Sequence, residues 1–318
     1  MSDIVTITIN PAVDIFVNTS RVEPTRKMRT SAPKRDPGGG GINVARAAFR
    51  LGSSVTAIYP ASGAIGRLLT RLLEREGITS VVTPSHAETR ENFTAYEEES
   101  GEQFRFVLPG SPLHRAEWEA VLHELENIEP KPKFVVASGS VPPGVPSDFF
   151  AKAAAAAKKC GAKAVLDTSG AALKAAIEEG VYLVKPNLNE LSDLCGKTLD
   201  TDDARIAACR HMVRAGEAEV VALTLGGDGA LLVTRDAVWR AQPLPIDAVS
   251  TVGAGDSFLG GMVAALASGR TLEESFRVAV AAGFAAVMRP GTELCHKEDV
   301  ERLLPQINLH RQAAKPER

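Results

Sequence analysis

Apolar and polar positions change period several times along the chain, and each change predicts an element. Residues 4–10, IVTITIN, alternate and are rich in β-branched side chains, the pattern of a strand. Residues 12–36 read differently: VDIFVNTS, a polar turn and KMRTSAPKR suggest short edge strands with no helical period. Pro37 and four glycines follow. In INVARAAFRLG, Ile42, Ala45, Ala48 and Phe49 then recur at helical spacing, and Gly52 stands where a helix stops. VTAIYPA is the next strand, and GAIGRLLTRLLEREG is an amphipathic helix closed by Gly77. Within residues 88–110, TRENFTAYEEESGEQFRFVLPG predicts a hairpin turning at ESGE, with charges on one face as on an exposed sheet.

Beyond residue 110 strands and helices alternate. KFVVASG is a strand, and SDFFAKAAAAAKKCG a helix expected to be capped by Ser147 and ended by Gly161. KAVLDTSG, VYLVKPN and AEVVALTLG are further strands, each nearly all apolar. Continuous apolar strands between helices imply a mostly parallel sheet covered on both faces, an α/β fold of Rossmann-like type. GALLVTRD and AVWRAQPL form an antiparallel hairpin. GAGDSFLGGMVAALASG and TLEESFRVAVAAGFAAVMRPG are apolar helices, and the closing HRQAAKPER is polar and expected to fray. The chain therefore divides into an α/β core (residues 1–11, 37–87 and 111–310) and a small β-sheet lid (residues 12–36 and 88–110).

Composition narrows the function class. Hydrophobic residues make up 44% and charged residues 24% of 318, which is the profile of a globular protein. The net charge of −3 provides no global field for nucleic acid or anionic lipid, and the 16 aromatic residues form no stacking ladder. Cys160, Cys195, Cys209 and Cys295 show no pairing or zinc-binding spacing, which points to a reducing compartment. With no signal peptide and no apolar run of about 20 residues, a cytoplasmic location is expected, with neither a nucleic-acid nor a membrane partner.

In a parallel sheet ligands bind beyond the carboxyl ends of the strands. That directs attention to Asn10, residues 38–43, 138–144, 167–169, 185–190, 224–229 and 250–256. Two nucleotide motifs fail there. Gly196-Lys197-Thr198 has Leu191 where a P-loop needs glycine, and Phe258 occupies the third glycine position after Gly253 and Gly255 of a dinucleotide fingerprint. STVGAGDSFLGG is more informative. Gly253, Ala254 and Gly255 are small enough to aim successive N–H groups at one anion from a helix N-terminus. Asp256 beside them would take the proton of an attacking hydroxyl; the plainer reading is a helix-capping acid. In KPNLNE, Asn187 and Glu190 at spacing three suit Mg²⁺ held largely through waters, and Lys185 precedes them at a strand end. No packing need is evident for four glycines in GGGGIN, whereas close approach to a ligand would explain them. Asn43 is placed to meet a sugar hydroxyl.

PGGGGINVAR, SGSVPPG, KPNLNE, TLGGDGALLV and STVGAGDSFLGG occur in this order, and on them the chain resembles the ribokinase-like superfamily of sugar kinases over about residues 3–305. PGGGGINVAR and SGEQ-[YF]-RFV make it most similar to the minor 6-phosphofructokinase branch. The resemblance implies a Rossmann-like core with a β lid, lids of two subunits pairing in a homodimer, and transfer of the ATP γ-phosphate to the 1-hydroxyl of fructose 6-phosphate with Mg²⁺. It implies Asp256 as base and Gly253, Ala254 and Gly255 as anion hole. Asp14, Gly39, Gly40, Gly41, Asn43, Arg90 and Ser140 would bind the sugar phosphate, with Lys27 reaching toward a neighbouring subunit. Lys185, Asn187, Thr224, Gly226, Gly227, Gly229, Ser250, Val252 and Phe284 would bind nucleotide, and Asn187 with Glu190 would support Mg²⁺.

Gly40 favours fructose 6-phosphate, because 1-phosphofructokinase and tagatose 6-phosphate kinase relatives typically carry lysine there. Those two activities are the alternatives; a non-catalytic sugar-phosphate sensor would not need Asp256, and a nicotinamide oxidoreductase lacks its fingerprint. Glu23 and Asn189 replace an aromatic residue and a lysine of the branch's second nucleotide site, which implies little inhibition by excess MgATP. The K⁺ segment, around Ser250, Val252, Ala286, Arg289, Gly291 and Glu293, is altered at Arg289 and Glu293, leaving main-chain oxygens to hold the ion.

Overall fold

The computed structural model describes residues 2–313. The chain runs β1 (Ile4–Ile7), β2 (Ala12–Thr19), β3 (Lys34–Gly38), α1 (Gly40–Arg50), β4 (Val55–Ala61), α2 (Gly63–Arg75), β5 (Thr79–Pro84), β6 (Arg90–Glu97) and β7 (Gln103–Val107). It continues with α3 (Arg115–Asn127), β8 (Phe134–Ser138), α4 (Phe149–Lys159), β9 (Lys163–Asp167), α5 (Gly170–Glu178), β10 (Val181–Val184), α6 (Leu188–Cys195), α7 (Asp202–Ala215) and β11 (Ala218–Thr224). It closes with β12 (Ala230–Val233), β13 (Ala237–Ala241), α8 (Ala254–Ala267), α9 (Leu272–Val287), α10 (Lys297–Leu303) and β14 (Leu309–Ala313).

Among the described residues ten strands form one sheet in the order β14-β13-β12-β11-β10-β9-β8-β1-β4-β5. It is parallel from β5 to β11 and antiparallel from β11 to β14. The strands are apolar throughout because both faces are buried. Along β8, Phe134 and Val136 enter one core, shared with α1, α2, α8 and α9, while Val135 and Ala137 enter the other, shared with α3, α4, α5 and α7. A separate four-stranded sheet, β3-β2-β6-β7, is made by the two segments read as a lid, with β3 running to Gly38, past the boundary at residue 36. It leaves Phe106, Val107 and Leu108 exposed. Among the described residues no helix is long and apolar enough to cross a membrane.

Four local expectations need correction. The N-cap of α4 is Asp148, with no side-chain cap bond, in place of Ser147. The polar C-terminal stretch does not simply fray: Leu309–Ala313 pairs with β13, completing the sheet edge with main-chain bonds that a periodicity argument does not register, and residues 314–318 lie outside the described part. The loop before α8 is not a strand-to-helix turn, because irregular chain separates β13 from α8.

The fourth correction concerns the glycines. A β-carbon on Gly38 would stand 2.4 Å from Asp14 Oδ2, and one on Gly39 2.7 Å from Thr8 Cγ2. On Gly40 it would be 2.4 Å from Ser138 Oγ, and on Gly41 2.5 Å from the Ile7 carbonyl oxygen. All four glycines therefore have close neighbours within the protein, Gly38 against β2 and Gly39 to Gly41 against the ends of β1 and β8. Gly39 in addition has φ 109°, which side chains rarely adopt.

Arg46 of α1 fastens this junction. It is 1% exposed. Its Nε donates to both Glu76 carboxylate oxygens at 2.9 and 3.1 Å, and its Nη1 to the carbonyls of Pro37 (3.0 Å) and Thr292 (3.2 Å). One guanidinium thus ties α1 to the chain after α2, to β3 and to the segment before α10.

Candidate active site

The centre is built where β9, β10, α1 and α8 meet. Asp167 ends β9 and Lys185 follows β10; each is a charged residue closing an apolar strand. Lys185 is buried, with its Nζ 3.0 Å from Asp167 Oδ1. Burial works against its charge, but Asp167, then Asp256 and Glu190, outweigh that and hold the ammonium above its usual pKa. A β-carbon on Gly255 would lie 3.3 Å from Lys185 Nζ, so the cation sits against the first turn of α8.

That turn starts at Gly253, in the left-handed conformation (φ 74°), and no side chain caps it. Among the described residues no acceptor takes the N–H groups of Gly253, Gly255 or Asp256, three unpaired donors at the positive end of a helix. Asp256 is not a cap. Its Oδ2 accepts from Asn43 Nδ2 at 2.9 Å, across from α1. Burial first, and then the Asp167 carboxylate, raise its pKa to about 6, against the pull of Asn43 and Lys185. The arrangement provides a carboxylate that ionises near neutrality beside a ready anion cradle. Asn43 is buried and braces Asp256, while its own Oδ1 has no partner.

Asn187 and Glu190 form a reciprocal cap on α6. Asn187 Oδ1 accepts the Glu190 N–H at 2.9 Å, and Glu190 Oε2 accepts the Asn187 N–H at 2.8 Å. Helix capping thus occupies one oxygen of each, leaving Glu190 Oε1 without a hydrogen bond among the described residues. Burial first, then Asp167, raises the Glu190 pKa. Asp167, Glu190 and Asp256 supply carboxylate oxygens around one lysine, a donor set that fits Mg²⁺ held largely through water.

A second cluster lies under the small sheet. Asp14 Oδ1 accepts from Asn92 Nδ2 at 2.7 Å, and burial raises the Asp14 pKa. Arg90 donates to the Asn10 carbonyl (3.1 Å) and to that of Leu108, while its Nε is buried without a partner. Ser140 Oγ accepts from Asn10 Nδ2 at 2.9 Å. Asn10, Arg90, Ser140 and Thr168 line a cleft of about 700 Å³. Lys27 is exposed on the β2–β3 loop, with no hydrogen bond or ion pair among the described residues.

Thr224 ends β11, its N–H donating to the Pro186 carbonyl at 3.0 Å. The turn that follows has open space over Gly226 and Gly227, where a β-carbon would meet nothing within 4 Å, whereas one on Gly229 would stand 2.3 Å from the Ala241 carbonyl oxygen. Packing explains glycine at 229 and not at 227. Phe284 of α9 lies half-buried against the core.

Ser250 Oγ bonds Gln103 Oε1 at 3.3 Å and receives the Val252 N–H at 3.2 Å; Gln103 Nε2 donates to the Val249 carbonyl at 3.3 Å. The small sheet is thereby tied to the loop before α8. Ser250 Oγ is also 3.5 Å from the Gly291 carbonyl oxygen, and Ala286 is buried nearby in sequence. Arg289 is drawn to Asp299 and Glu293 to Lys34 and His296, so neither side chain is free for that segment. Glu23 pairs with Arg21 (3.5 Å) and Arg26 (3.1 Å), so its charge is met by two cations. The expectation of little inhibition by excess MgATP then rests on the replaced ring and lysine, and repulsion by Glu23 does not support it. The motifs assign no role to Asp167, although it lies among the strand-end residues 167–169, or to Gln103, although it stands in SGEQFRFV.

The profile of the family described as pfkB family carbohydrate kinase matches residues 2–299. The ATP-dependent 6-phosphofructokinase isozyme 2 of Mycobacterium tuberculosis H37Rv is 45% identical over 299 residues, 94% of this chain and 88% of that protein. Two solved structures of the phosphofructokinase-2 of Escherichia coli overlay on 96% of this chain and 99% of theirs. One, in complex with potassium, has a TM-score of 0.92 at 41% identity; the other, a tetrameric inhibited form, 0.90 at 40%.

Proposed function

Because the chain belongs to the pfkB family of carbohydrate kinases, and is an ATP-dependent sugar-phosphate kinase of ribokinase-like fold, we propose that it phosphorylates fructose 6-phosphate at the 1-hydroxyl, the phosphofructokinase step of glycolysis. The observation that carries the chemistry is Asp256, held by Asn43 beside three unpaired N–H groups. The acceptor hydroxyl gives its proton to Asp256 as its oxygen attacks the γ-phosphorus of ATP; the bond to the β,γ-bridging oxygen breaks and ADP leaves. The N–H groups of Gly253, Gly255 and Asp256 stabilise the charge on the phosphoryl oxygens. Lys185 supports that charge from behind Gly255. Mg²⁺, when bound, neutralises phosphate charge, and Glu190 with Asp167 supplies oxygen donors toward it. Asp14 and Asn43 orient the sugar, and Arg90 and Ser140 meet its phosphate. Thr224, Gly226 and Gly227 border the nucleotide. A monovalent cation, as in the potassium complex of the Escherichia coli protein, would sit on oxygens near Ser250 and Gly291.

The choice of fructose 6-phosphate rests on Gly40. A lysine there, as in the 1-phosphofructokinase and tagatose 6-phosphate kinase pattern, would displace Ser138 and Gly139. ADP release measured with fructose 6-phosphate, fructose 1-phosphate and tagatose 6-phosphate tests the reading. The highest kcat/KM is expected for fructose 6-phosphate, and a tenfold preference for either rival would overturn it.

The base also sets a pH dependence. With the Asp256 pKa raised to about 6, its active, ionised form is lost as pH falls through that value. The expected profile of kcat/KM has an acid limb near pH 6. A flat profile down to pH 5 would exclude an Asp256 of raised pKa as the base.

The exposed Phe106, Val107 and Leu108 leave apolar surface at the end of β7, and two lids covering one another would bury it in a homodimer, with Lys27 reaching the partner's sugar phosphate. Sedimentation velocity should show a dimer in the absence of ATP, and Lys27→Ala should raise KM for the sugar phosphate. A fully active monomer would refute the pairing.

A further inference from the structure

The chain leaves the large sheet after β5, forms the β6–β7 hairpin and enters α3 before returning to the sheet at β8, and the two feet of the hairpin carry His86 and His114. Their rings stack, with centroids 3.9 Å apart and planes inclined by 17°. Glu117, in the first turn of α3, completes the group. His86 Nδ1 is 2.9 Å from each Glu117 carboxylate oxygen. The His86 backbone N–H donates to Oε1, and the His114 N–H to Oε2 at 2.6 Å. One nitrogen of each imidazole and one carboxylate oxygen all lie within 4.8 Å of one another.

We propose that His86, His114 and Glu117 bind one divalent transition-metal ion of the zinc class, which clamps the two feet of the lid hairpin together. Two imidazoles and a carboxylate match Zn²⁺ and its neighbours; Mg²⁺ requires oxygen donors. In a tetrahedral zinc site with ligands at about 2.0–2.2 Å, the donor atoms stand roughly 3.3–3.6 Å apart. The gap from the present spacing is closed by rotating side chains, since both imidazoles are exposed, while Glu117 stays fixed by the two backbone N–H groups that orient it. The ion ties residues on either side of Arg90 and Leu108, so it restrains the lid without touching Asp256 or Lys185. The site stands whether or not the substrate reading holds.

Isothermal titration of ZnCl₂ into the whole chain without nucleotide tests it. About one equivalent is expected to bind at least tenfold more tightly than to His86→Ala or to His114→Ala, whereas MgCl₂ shows no difference among the three. Hydrogen exchange on addition of Zn²⁺ should slow at residues 85–92 and 107–114 in the unsubstituted protein and in neither variant. Zinc taken up by the exposed Cys195 thiol would persist in both histidine variants. Equal affinity across the three proteins, or unchanged exchange at the hairpin feet, would overturn the site.

Discussion

Asp256→Asn is expected to lower kcat by about 10²–10⁴ while leaving the Kd for nucleotide within a few-fold of normal. The expected split follows from geometry. Asparagine has the shape of aspartate and still presents an oxygen to Asn43 Nδ2, so the 2.9 Å contact survives. No helix cap is lost, because Asp256 does not cap α8. The three N–H groups at the start of α8 remain available to phosphate. What disappears is the only group in the first turn of that helix able to take a proton from the acceptor hydroxyl, and with it the acid limb near pH 6. Steady-state kinetics and a nucleotide titration on this one variant decide the matter, and turnover within tenfold of normal would remove the base from the mechanism. Loss of nucleotide affinity in step with turnover would instead make Asp256 part of the nucleotide site.

Arg46→Met should destabilise the fold by about 3–5 kcal/mol, the range seen when one partner of a buried, hydrogen-bonded pair is removed. Methionine fills much of the volume but leaves the carbonyls of Pro37 and Thr292 without their donor and Glu76 without its main cation. Burial works against ionisation of Glu76, yet Arg46 and then Arg50 outweigh it and hold the carboxyl below its usual range. A depressed carboxyl stabilises the fold above its unfolded pKa, and that contribution is lost as pH falls through the folded value. The unsubstituted protein should therefore lose stability below about pH 4.5, the region of an unperturbed glutamate, and Arg46→Met should lose less over the same window. Chemical denaturation at pH 7 and at pH 4 measures both effects. A loss under 1 kcal/mol at pH 7 would show that the network is not the fastening it is taken to be. Adding Glu76→Leu to Arg46→Met should recover part of the loss, because a partly buried carboxylate left to Arg50 goes with it.

Periodicity carried most of the architecture. Continuous apolar strands required two covered faces, the βα alternation required parallel pairing, and the charged hairpin within residues 88–110 marked a sheet of its own. The loops at strand ends were legible too, because Lys185 and Asp167 stand where an apolar run stops. The partners of those residues were not. An acid three places into a helix is spelled the same whether it caps, binds Mg²⁺ or takes a proton; only the fold shows that Glu190 closes a cap and that Asp256 faces Asn43. The packing of the glycines of residues 38–41 was not legible, because Asp14, Thr8, Ser138 and Ile7, all distant in sequence or on other strands, stand against them only in the fold. β14 was hidden for the same reason, since its main-chain bonds to β13 depend on no side-chain pattern. The local sequence determines which face of an element is buried and where an element ends. What stands across from that face is decided by chain segments far away, and only tertiary structure brings them into contact.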